Sequence, residues 1–513
     1  MGKRLGLSVL LLAVVATTLP INGAAALSQP VRPPLPPPDL QQTNRWLHAA
    51  HTPRPRIVDD AGRTVILRGV NVNGLGEYYQ EWADLPATLP LTEADFAEIA
   101  GHGFNVVRLL VTWSRLEPQP GVIDRAYIER IAQAVAWAKK YDIYTLIDMH
   151  QDAWSAFVDT PDGVTCPPGT TRAVGWDGAP KWATSLVGTV ATCTARIREV
   201  SMAAQLSFER FYTNAGGLQD HLLNVWRAVA QRFAGESAVA GYDLLNEPNP
   251  GMTPGVNDYG ALGLFYRRAI KAIRSVDKRH MIFFEPAVVT GPLTTPGPVP
   301  GFSNDANLVY APHLYNESIS PLPGRIKDGF VNASRAAKRY GNAPIFVGEW
   351  GWFGNPTDDQ PFINEYARQE DIHMASGTWW QWKQACGDPH AIGARGKRPS
   401  CAGKSIYSDG LVTRSVNLPE LTRGYVRAAP GLLTSMSGTF NRLKATGIAS
   451  RAGETVEVWA GGTCRSPSLT VWQRGQRVGT GYGSDAPVGQ RMRAMIPARG
   501  AYEVTVRCKR NEL

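Results

Sequence analysis

The sequence predicts an α/β fold, namely a (β/α)8 TIM barrel followed by a small C-terminal all-β sandwich. Short apolar runs alternate with amphipathic stretches over residues 45–428, and from about Leu433 short alternating runs are separated by glycine-rich turns. The chain of 513 residues, 43% of them hydrophobic, is long enough for a barrel and a second domain. An open doubly wound sheet is disfavoured because no Gly-x-Gly-x-x-Gly loop or P-loop follows any of the runs.

The amino terminus resembles a secretory signal peptide over residues 1–26. Lys3 and Arg4 precede an apolar run, and Ala24–Ala26 supplies the small residues of a cleavage site. The run is shorter than the about 20 residues of a membrane-spanning helix. We therefore expect a secreted protein without a transmembrane segment, in which the proline-rich residues 27–44 form an extended linker.

Eight apolar runs are the candidate strands of the barrel. They are Val65–Val72, Val106–Val111, Tyr144–Met149, Val239–Leu245, Met281–Phe284, Leu308–Ala311, Ile345–Val347 and Thr378–Trp380. The stretches between them have helical periodicity; Asp124–Lys140, for example, places Ile128, Ile131 and Val135 on one stripe. Strands that alternate with helices pair in parallel, which predicts a closed barrel over residues 45–428 and leaves 429–513 for the β-sandwich.

Six cysteines are typical of an oxidising compartment. Several pairings are open, and proximity in the sequence favours Cys166–Cys193, Cys386–Cys401 and Cys464–Cys508. No Cys-x-x-Cys motif or Cys/His cluster has the spacing of metal ligands, so we predict neither a metal site nor a cofactor.

The net charge of +9 does not by itself indicate a nucleic-acid partner, because 53 basic residues are scattered among 44 acidic ones. No basic block or nucleic-acid motif occurs, so we predict no nucleic-acid partner. A monomer is expected.

Polar and aromatic side chains follow the predicted strands, at the end that carries the active site in (β/α)8 barrels. Glu247 ends the fourth predicted strand and Glu349 the seventh. These strands lie nearly opposite each other, so the two carboxyl groups would flank a central cleft. A single glutamate at a strand end is more often a surface ion-pair residue. The pair within a polar ring instead predicts glycoside hydrolysis, in which one carboxylic acid protonates the leaving oxygen and a second carboxylate attacks the anomeric carbon or activates water.

The same residues resemble a known family. Arg108, His150, Asn246-Glu247-Pro248, His313-Leu314-Tyr315, Glu349 and Trp382 together resemble glycoside hydrolase family 5. More narrowly, the segments Asp148–Asp152, Asp177–Thr184 and Tyr242–Pro248 resemble endoglycoceramidases, which detach the glycan of a glycosphingolipid from its ceramide. The resemblance covers about residues 45–425, and a β-sandwich after the barrel is also similar to that group.

The resemblance implies the roles of the two glutamates and their neighbours. Glu247 would be the general acid/base, with a pKa raised by the nearby charge of Glu349. Glu349 would be the nucleophile, held ionised by Arg108 and Tyr315. Asn246 would contact the 2-hydroxyl of the sugar.

Further residues would shape the sugar subsite. His150 and His313 lie at strand ends, although a lone histidine is more often a core residue. Asp152 would take two adjacent hydroxyls, and Trp182 and Trp382 would stack on the sugar.

The resulting interpretation is a retaining β-glycosidase acting on glycosphingolipids, with its carboxyl groups about 5–5.5 Å apart and transient contact with lipid surfaces. Residues 379–386 are richer in aromatics than in the better-known endoglycoceramidases, and residues 74–79 lack an expected lysine. The accepted head group stays open, with short heads such as single galactosyl or glucosyl groups included. Two alternatives remain: a polysaccharide endo-β-glucanase or mannanase of the same family, and a noncatalytic glycan-binding protein.

Overall fold

The computed structural model describes residues 44–184, 190–195, 198–288, 297–319, 324–392, 395–399, 417–483 and 490–508. The predicted signal peptide and all but the last residue of the predicted linker lie outside these ranges. Among the described helices, none is both long enough and apolar enough to cross a membrane.

Eight parallel strands form the barrel that the sequence predicts. In chain order they are β1 (Arg68–Val72), β2 (Val106–Thr112), β3 (Tyr144–His150), β4 (Val239–Asp243), β5 (Met281–Phe284), β6 (Leu308–Tyr310), β7 (Phe346–Trp350) and β8 (Ser376–Trp379). Each strand from β1 to β5 pairs with the next, β7 pairs with β8, and β8 pairs with β1. A parallel bridge between Tyr310 and Ile345 connects β6 to β7. The predicted barrel is thus confirmed.

Helices surround the barrel. The longer ones are Glu93–Gly101, Arg125–Lys140, Met202–Tyr212, Leu218–Phe233, Leu262–Arg274, Ile326–Arg339 and Pro356–His373; short ones are Trp113–Leu116, Pro389–Ile392 and Leu418–Leu421. The predicted stripe of Ile128, Ile131 and Val135 is buried against the strands. Their helix begins where the side chain of Asp124 accepts a hydrogen bond from the Tyr127 amide, which satisfies a free N–H group of the first turn.

The interior of the barrel changes from apolar to charged between one layer of inward side chains and the next layer toward the carboxyl ends of the strands. Val106, Leu146 and Phe283 belong to one buried apolar cluster near the amino ends of β2, β3 and β5. Successive inward side chains of a strand are two residues apart. The next inward residues are therefore Arg108, Asp148 and Glu285, and these form ion pairs with one another. The apolar layer is the floor on which the polar site rests.

Two antiparallel sheets form the predicted β-sandwich. The five-stranded sheet contains, in spatial order, Leu432–Gly438, Arg442–Ala449, Gly500–Arg507, Ser468–Gln473 and Gln476–Thr480. The seven-stranded sheet contains Leu47–Ala50, Arg56–Asp59, Thr64–Val65, Arg423–Ala429, Glu454–Gly461, Arg491–Ile496 and Tyr482–Gly483. The sequence predicts that the first four of these segments belong to the barrel, over residues 45–428. The first three segments pair with one another locally, and the distant pairing of Val65 with Ala428 joins them to the sandwich.

The sandwich packs on the barrel at Gly103, just before β2. Its carbonyl accepts hydrogen bonds from the Tyr425 hydroxyl at 2.7 Å and from Arg427 Nη1 at 3.0 Å. Trp459, buried in the sandwich, has its ring so close to Gly103 that an added Cβ would lie 2.1 Å from it. Packing against the barrel therefore accounts for Trp459.

Two of the three predicted disulfides are confirmed, namely Cys166–Cys193 and Cys464–Cys508. Cys386 is also disulfide-bonded. Its predicted partner, Cys401, lies outside the described residues.

Candidate active site

A buried arginine organises the centre of the barrel mouth. Arg108 is fully buried, and its Nε donates to Asp243 at 3.0 Å while Nη2 lies 2.9 Å from Asp148. The same guanidinium donates to Glu285 at 2.9 Å and, through Nη1, to Glu349 at 2.8 Å. Burial lowers the pKa of Arg108, but the carboxylates outweigh it and raise that pKa well above the usual value. The arginine is thus a permanent cation beneath the cleft.

Glu349, near the end of β7, is held by two donors. Its Oε1 accepts from Arg108 and its Oε2 accepts from the Tyr315 hydroxyl at 2.9 Å. Burial raises the pKa of Glu349, although the charges of His313 and Arg108 oppose that shift. Both donors favour the ionised carboxylate, and a fixed carboxylate can attack an electrophilic carbon.

Glu247 follows β4 in an unusual backbone conformation with φ of +37°. Such left-handed conformations cost a residue other than glycine about 1–3 kcal/mol and persist where neighbouring contacts impose them. Here the Glu247 amide donates to Glu285 Oε2 at 2.8 Å, and Gln151 Nε2 donates to the Glu247 carbonyl at 3.0 Å. These contacts turn the carboxyl group toward the cleft, where its Oε1 lies 2.9 Å from His313 Nδ1.

The expected direction of the Glu247 pKa is wrong for the unliganded protein. Burial alone raises it, but the hydrogen bond and the charge of His313 outweigh burial, and the net shift is downward. Burial also lowers the pKa of His313, yet Glu285 and Glu349 raise it well above the usual value. The sequence could not show that His313 lies beside Glu247 and lowers its pKa.

His313 lies between the two glutamates. Its Nδ1 is 2.9 Å from Glu247 Oε1 and 3.6 Å from Glu349 Oε2, and its Nε2 is 3.3 Å from Glu285 Oε1. One carboxyl oxygen of Glu247, one of Glu349 and a His313 nitrogen all lie within 4.8 Å of one another. Both carboxyl groups therefore reach one small volume, where they can act on the same bond.

The predicted sugar ligands Asn246 and His150 both lie at this mouth. Asn246 Oδ1 accepts from Arg108 Nη2 at 2.8 Å, and its Nδ2 donates to the Gln151 carbonyl at 3.0 Å. His150 Nδ1 lies 2.7 Å from Asp148, and the ring of Trp380 is stacked on the imidazole at 5.5 Å.

The predicted ligand Asp152 is held by two cations. Its Oδ1 accepts from Arg198 at 2.7 Å, and its Oδ2 lies 3.2 Å from His390 Nε2. Arg198 also lies 3.7 Å from Glu247 Oε2. Arg198 thereby connects Asp152 to Glu247.

The two predicted stacking tryptophans are not brought to this mouth. Trp382 has no exposed surface, and its indole donates to Asp95 at 3.1 Å, so neither face is available to a sugar. Trp182 donates to the Glu117 carbonyl at 3.1 Å and packs edge-on against Trp113 at 5.4 Å. Trp380 of the same segment is the tryptophan that stacks on His150, beside the site.

Sequence reasoning gave no role to three residues that the structure places in the network: Glu285, Arg198 and His390. Glu285 was visible as the end of the fifth predicted strand, which was a usable signal. Arg198 and His390 belong to long excursions after β3 and β8, and no local pattern marks them.

Several acidic clusters have metal-ligand spacing, among them His150, Asp152 and Asp177. Protein cations already neutralise them, since Arg198 pairs with Asp152 and Arg108 pairs with Asp148, Asp243 and Glu285. The absence of a cofactor stays a prediction.

Comparison with known proteins points to one family. The family model for cellulases (glycosyl hydrolase family 5) matches residues 58–385. An endoglycoceramidase of Cyanea nozakii is 27% identical over 457 residues, which are 82% of this chain and 80% of that protein. Endoglycoceramidase I of Rhodococcus hoagii is 30% identical over 284 residues, 50% of this chain and 51% of that protein.

Solved structures are similar over nearly the whole chain. The crystal structure of an endogalactoceramidase is 39% identical, with a TM-score of 0.78 over 91% of this chain and 100% of that chain. Endo-glycoceramidase II of Rhodococcus sp. in its complex with ganglioside GM3 is 26% identical, with a TM-score of 0.69 over 89% of this chain and 100% of that chain. This protein is a glycoside hydrolase, and its chain belongs to glycosyl hydrolase family 5.

Proposed function

We propose that the protein is a secreted retaining β-glycosidase that hydrolyses the bond between the sugar head and the ceramide of glycosphingolipids. The observation that carries the mechanism is the approach of Glu247 and Glu349, one carboxyl oxygen of each lying within 4.8 Å of the other. Retaining glycosidases have carboxyl groups about 5–5.5 Å apart, whereas inverting enzymes need about 6.5–9.5 Å to admit a water molecule. The observed approach supports retention.

The reaction follows from this geometry as two displacements. Glu349 attacks the anomeric carbon while Glu247 gives a proton to the glycosidic oxygen, so the carbon–oxygen bond breaks and ceramide leaves as an alcohol. Glu247 then removes a proton from water, which attacks the glycosyl–Glu349 ester and frees the sugar with its original configuration. An alcohol in place of water would yield a new glycoside.

The neighbours of the glutamates have matching tasks. Arg108 and Tyr315 stabilise the Glu349 carboxylate before attack and after its release. His313 passes its proton to Glu247, with which it already shares a 2.9 Å contact.

Apolar surface next to Glu247 supports a lipid leaving group. The segment that follows Glu247 exposes Met252, Val256 and Tyr259, each 41–67% accessible to solvent. Glu209 accepts from the Met252 amide at 3.2 Å, which joins this segment to the helix Met202–Tyr212. Exposed apolar groups on the side of the acid suit an acyl chain and a lipid surface, because burying them stabilises by about 25 cal/mol per Å².

The similar proteins support the same substrate class, since their names specify endoglycoceramidase and endogalactoceramidase. The two disulfides support export, because disulfides persist in oxidising compartments.

The proposal is tested by comparing kcat/KM for a glycosylceramide in detergent with that for a soluble oligosaccharide of the same linkage. We expect the lipid to be preferred strongly, and Glu349→Gln to abolish both activities while lipid binding remains measurable. Glu365→Gln, at a half-buried residue of the helix Pro356–His373 that pairs with Arg368, is the matched control and should retain activity. Equal or better turnover of glucan or mannan fragments would instead support the polysaccharidase alternative.

A further inference from the structure

The direction of the sugar in the mouth follows from the order of the strands. Glu349 on β7 faces the anomeric carbon, and Asn246 after β4 suits the 2-hydroxyl. The barrel order continues from β4 to β3, where His150 and Asp152 come next to the 3-hydroxyl. C4 lies across the pyranose ring from C1, so the 4-hydroxyl points toward the loops after β1, β3 and β8.

A wall of rings stands in that direction. The imidazole of His390, after β8, packs edge-on against Trp176 with ring centroids 4.8 Å apart. It also lies 5.1 Å from the ring of Trp380 and 6.2 Å from that of Tyr78. Trp176, Trp380 and Tyr78 are all buried. The wall therefore joins the loops that follow β1, β3 and β8.

His390 is fixed in this wall from both sides of its ring. Its Nδ1 bonds to Asp388 at 2.7 Å, and Asp388 in turn accepts from Asn73 Nδ2 at 3.2 Å. Its Nε2 lies 3.2 Å from Asp152 Oδ2. Displacing His390 would leave the carboxylate of Asp152, which is buried, without this partner, so the ring is held in place.

Buried polar atoms without partners mark the end of the pocket as a site for hydroxyl groups. Both carboxyl oxygens of Asp177 are fully buried and have no hydrogen-bond partner among the described residues. His150 Nε2 is also unpartnered there and lies 3.8 Å from Asp152. One oxygen of Asp177 lies within 4.8 Å of both His150 and Asp152. Buried polar groups of this kind are normally satisfied, so they indicate a polar ligand.

We propose that the sugar pocket ends at His390 and accepts a single β-hexosyl residue with a free 4-hydroxyl, so that heads extended at this position, such as lactosyl, are excluded. Asp152, Asp177 and His150 bond the 3- and 4-hydroxyls. Burial raises the pKa of Asp177 to about 8, so near neutral pH its carboxyl group can both donate and accept. A second sugar at O4 would have to occupy the volume of His390 and Trp176. The inference rests on the roles that the proposed function gives to the two glutamates. It does not depend on ceramide being the leaving group.

The test uses substrates without lipid. The kcat/KM values of 4-nitrophenyl β-glucoside and β-galactoside are compared with those of 4-nitrophenyl β-cellobioside and β-lactoside, with release of the intact disaccharide checked by mass. A pocket that bonds a hydroxyl rejects substrates that lack it by large factors. We expect the kcat/KM of the better monoside to exceed that of both biosides by at least about 100-fold. Equal or faster release from a bioside would overturn the inference.

The same comparison with glucosyl-, galactosyl- and lactosylceramide separates the two proposals. If the protein prefers the aryl monosides but releases no ceramide from any of the lipids, the lipid proposal alone is refuted. Ceramide release from lactosylceramide as fast as from the monohexosyl lipids refutes the inference alone. Turnover of none of these substrates refutes both.

A variant tests the wall itself. His390→Ala should raise the ratio of bioside to monoside kcat/KM by at least about tenfold, because it removes the ring that blocks O4. His221→Ala is the control. The imidazole of His221, on the helix Leu218–Phe233, pairs with Glu117, and its removal should leave the ratio unchanged. An unchanged ratio in His390→Ala, measured below the melting temperature of the variant, would contradict the role of His390.

Discussion

Among single residues, His313 has the most direct influence on the pKa of Glu247. Its ring contacts Glu247 at 2.9 Å and lies near Glu285 and Glu349. The hydrogen bond of His313 lowers the pKa of Glu247, while Glu285 and Glu349 raise the pKa of His313. In the proposed mechanism, His313 is therefore a proton source for Glu247.

The pH dependence of kcat/KM for an aryl β-glycoside should therefore be bell-shaped. Activity is lost as pH falls because Glu349 must be ionised, and burial places its pKa above the usual 4.5. Activity is lost as pH rises because His313 loses its proton, and the pKa of His313 lies well above the usual 6.5. The profile of His313→Asn tests this account: its alkaline limb should move to lower pH. An alkaline limb at the wild-type pH would contradict it.

The residues that could be predicted are those that terminate strands. Glu247 and Glu349 were recognisable because each directly follows a strong apolar run. The choice of Trp382 failed because the segment 379–382 contains three tryptophans and the local pattern does not show which of them reaches the mouth. Arg198 and His390 reach Asp152 through long loops, so their roles depend on tertiary contacts that no periodicity reveals.

On the scale of elements, the junction between sandwich and barrel depends on Gly103. Its φ of +85° favours glycine, and an added Cβ would meet the Trp459 ring. We expect Gly103→Ala to lower the free energy of unfolding by roughly 2–4 kcal/mol, through both backbone strain and overpacking. Gly62→Ala is the matched control, because Gly62 has a φ of +80° but nothing within 4 Å of an added Cβ.

Gly62→Ala should lower the free energy of unfolding by only about 1–2 kcal/mol, through backbone strain alone. Urea unfolding measures both values. Equal losses for the two variants would mean that the contact between Gly103 and Trp459 does not stabilise the junction.

The two described disulfides should have different consequences when removed. Their loops span 27 and 44 residues, which correspond to about 3.5 and about 4 kcal/mol in the chain-entropy model. Replacing Cys464 and Cys508 by serine should lower the melting temperature and leave kcat/KM unchanged, because this bridge lies in the sandwich. Replacing Cys166 and Cys193 should also lower kcat/KM, because their loop carries Trp176.

Thermal unfolding and initial rates on one aryl glycoside distinguish these outcomes. Loss of activity only in the sandwich variant would contradict the assignment of the loop to the pocket.

The strands of the barrel could be predicted element by element, since each is a short apolar run between amphipathic helices. The predicted first strand, Val65–Val72, nevertheless divides in the structure. Thr64–Val65 joins the sandwich, and Arg68–Val72 joins the barrel. Pairing between Val65 and Ala428 depends on the folded barrel bringing distant segments together, and a local pattern carries no information about it.

At the scale of the whole molecule, the barrel brings residues from β2 to β8, or from the loops that follow them, to one mouth. An apolar floor lies beneath this mouth, the rings of His390 and Trp176 lie toward β8, and exposed apolar side chains follow Glu247. Polar side chains beside exposed apolar ones are what the proposed substrate, a sugar joined to a lipid, requires. The sandwich supports this arrangement from the side by packing on the residue before β2.

The most direct test of the central claim is product analysis after incubation with galactosyl- or glucosylceramide in buffer that contains methanol. Methanol intercepts the glycosyl–Glu349 ester, so we expect free ceramide together with a methyl β-glycoside, identified by mass and by the anomeric NMR signal. Absence of ceramide release, while soluble β-glycosides are cleaved, would contradict action on glycosphingolipids. A methyl α-glycoside as the first product would contradict the retaining pair of Glu247 and Glu349.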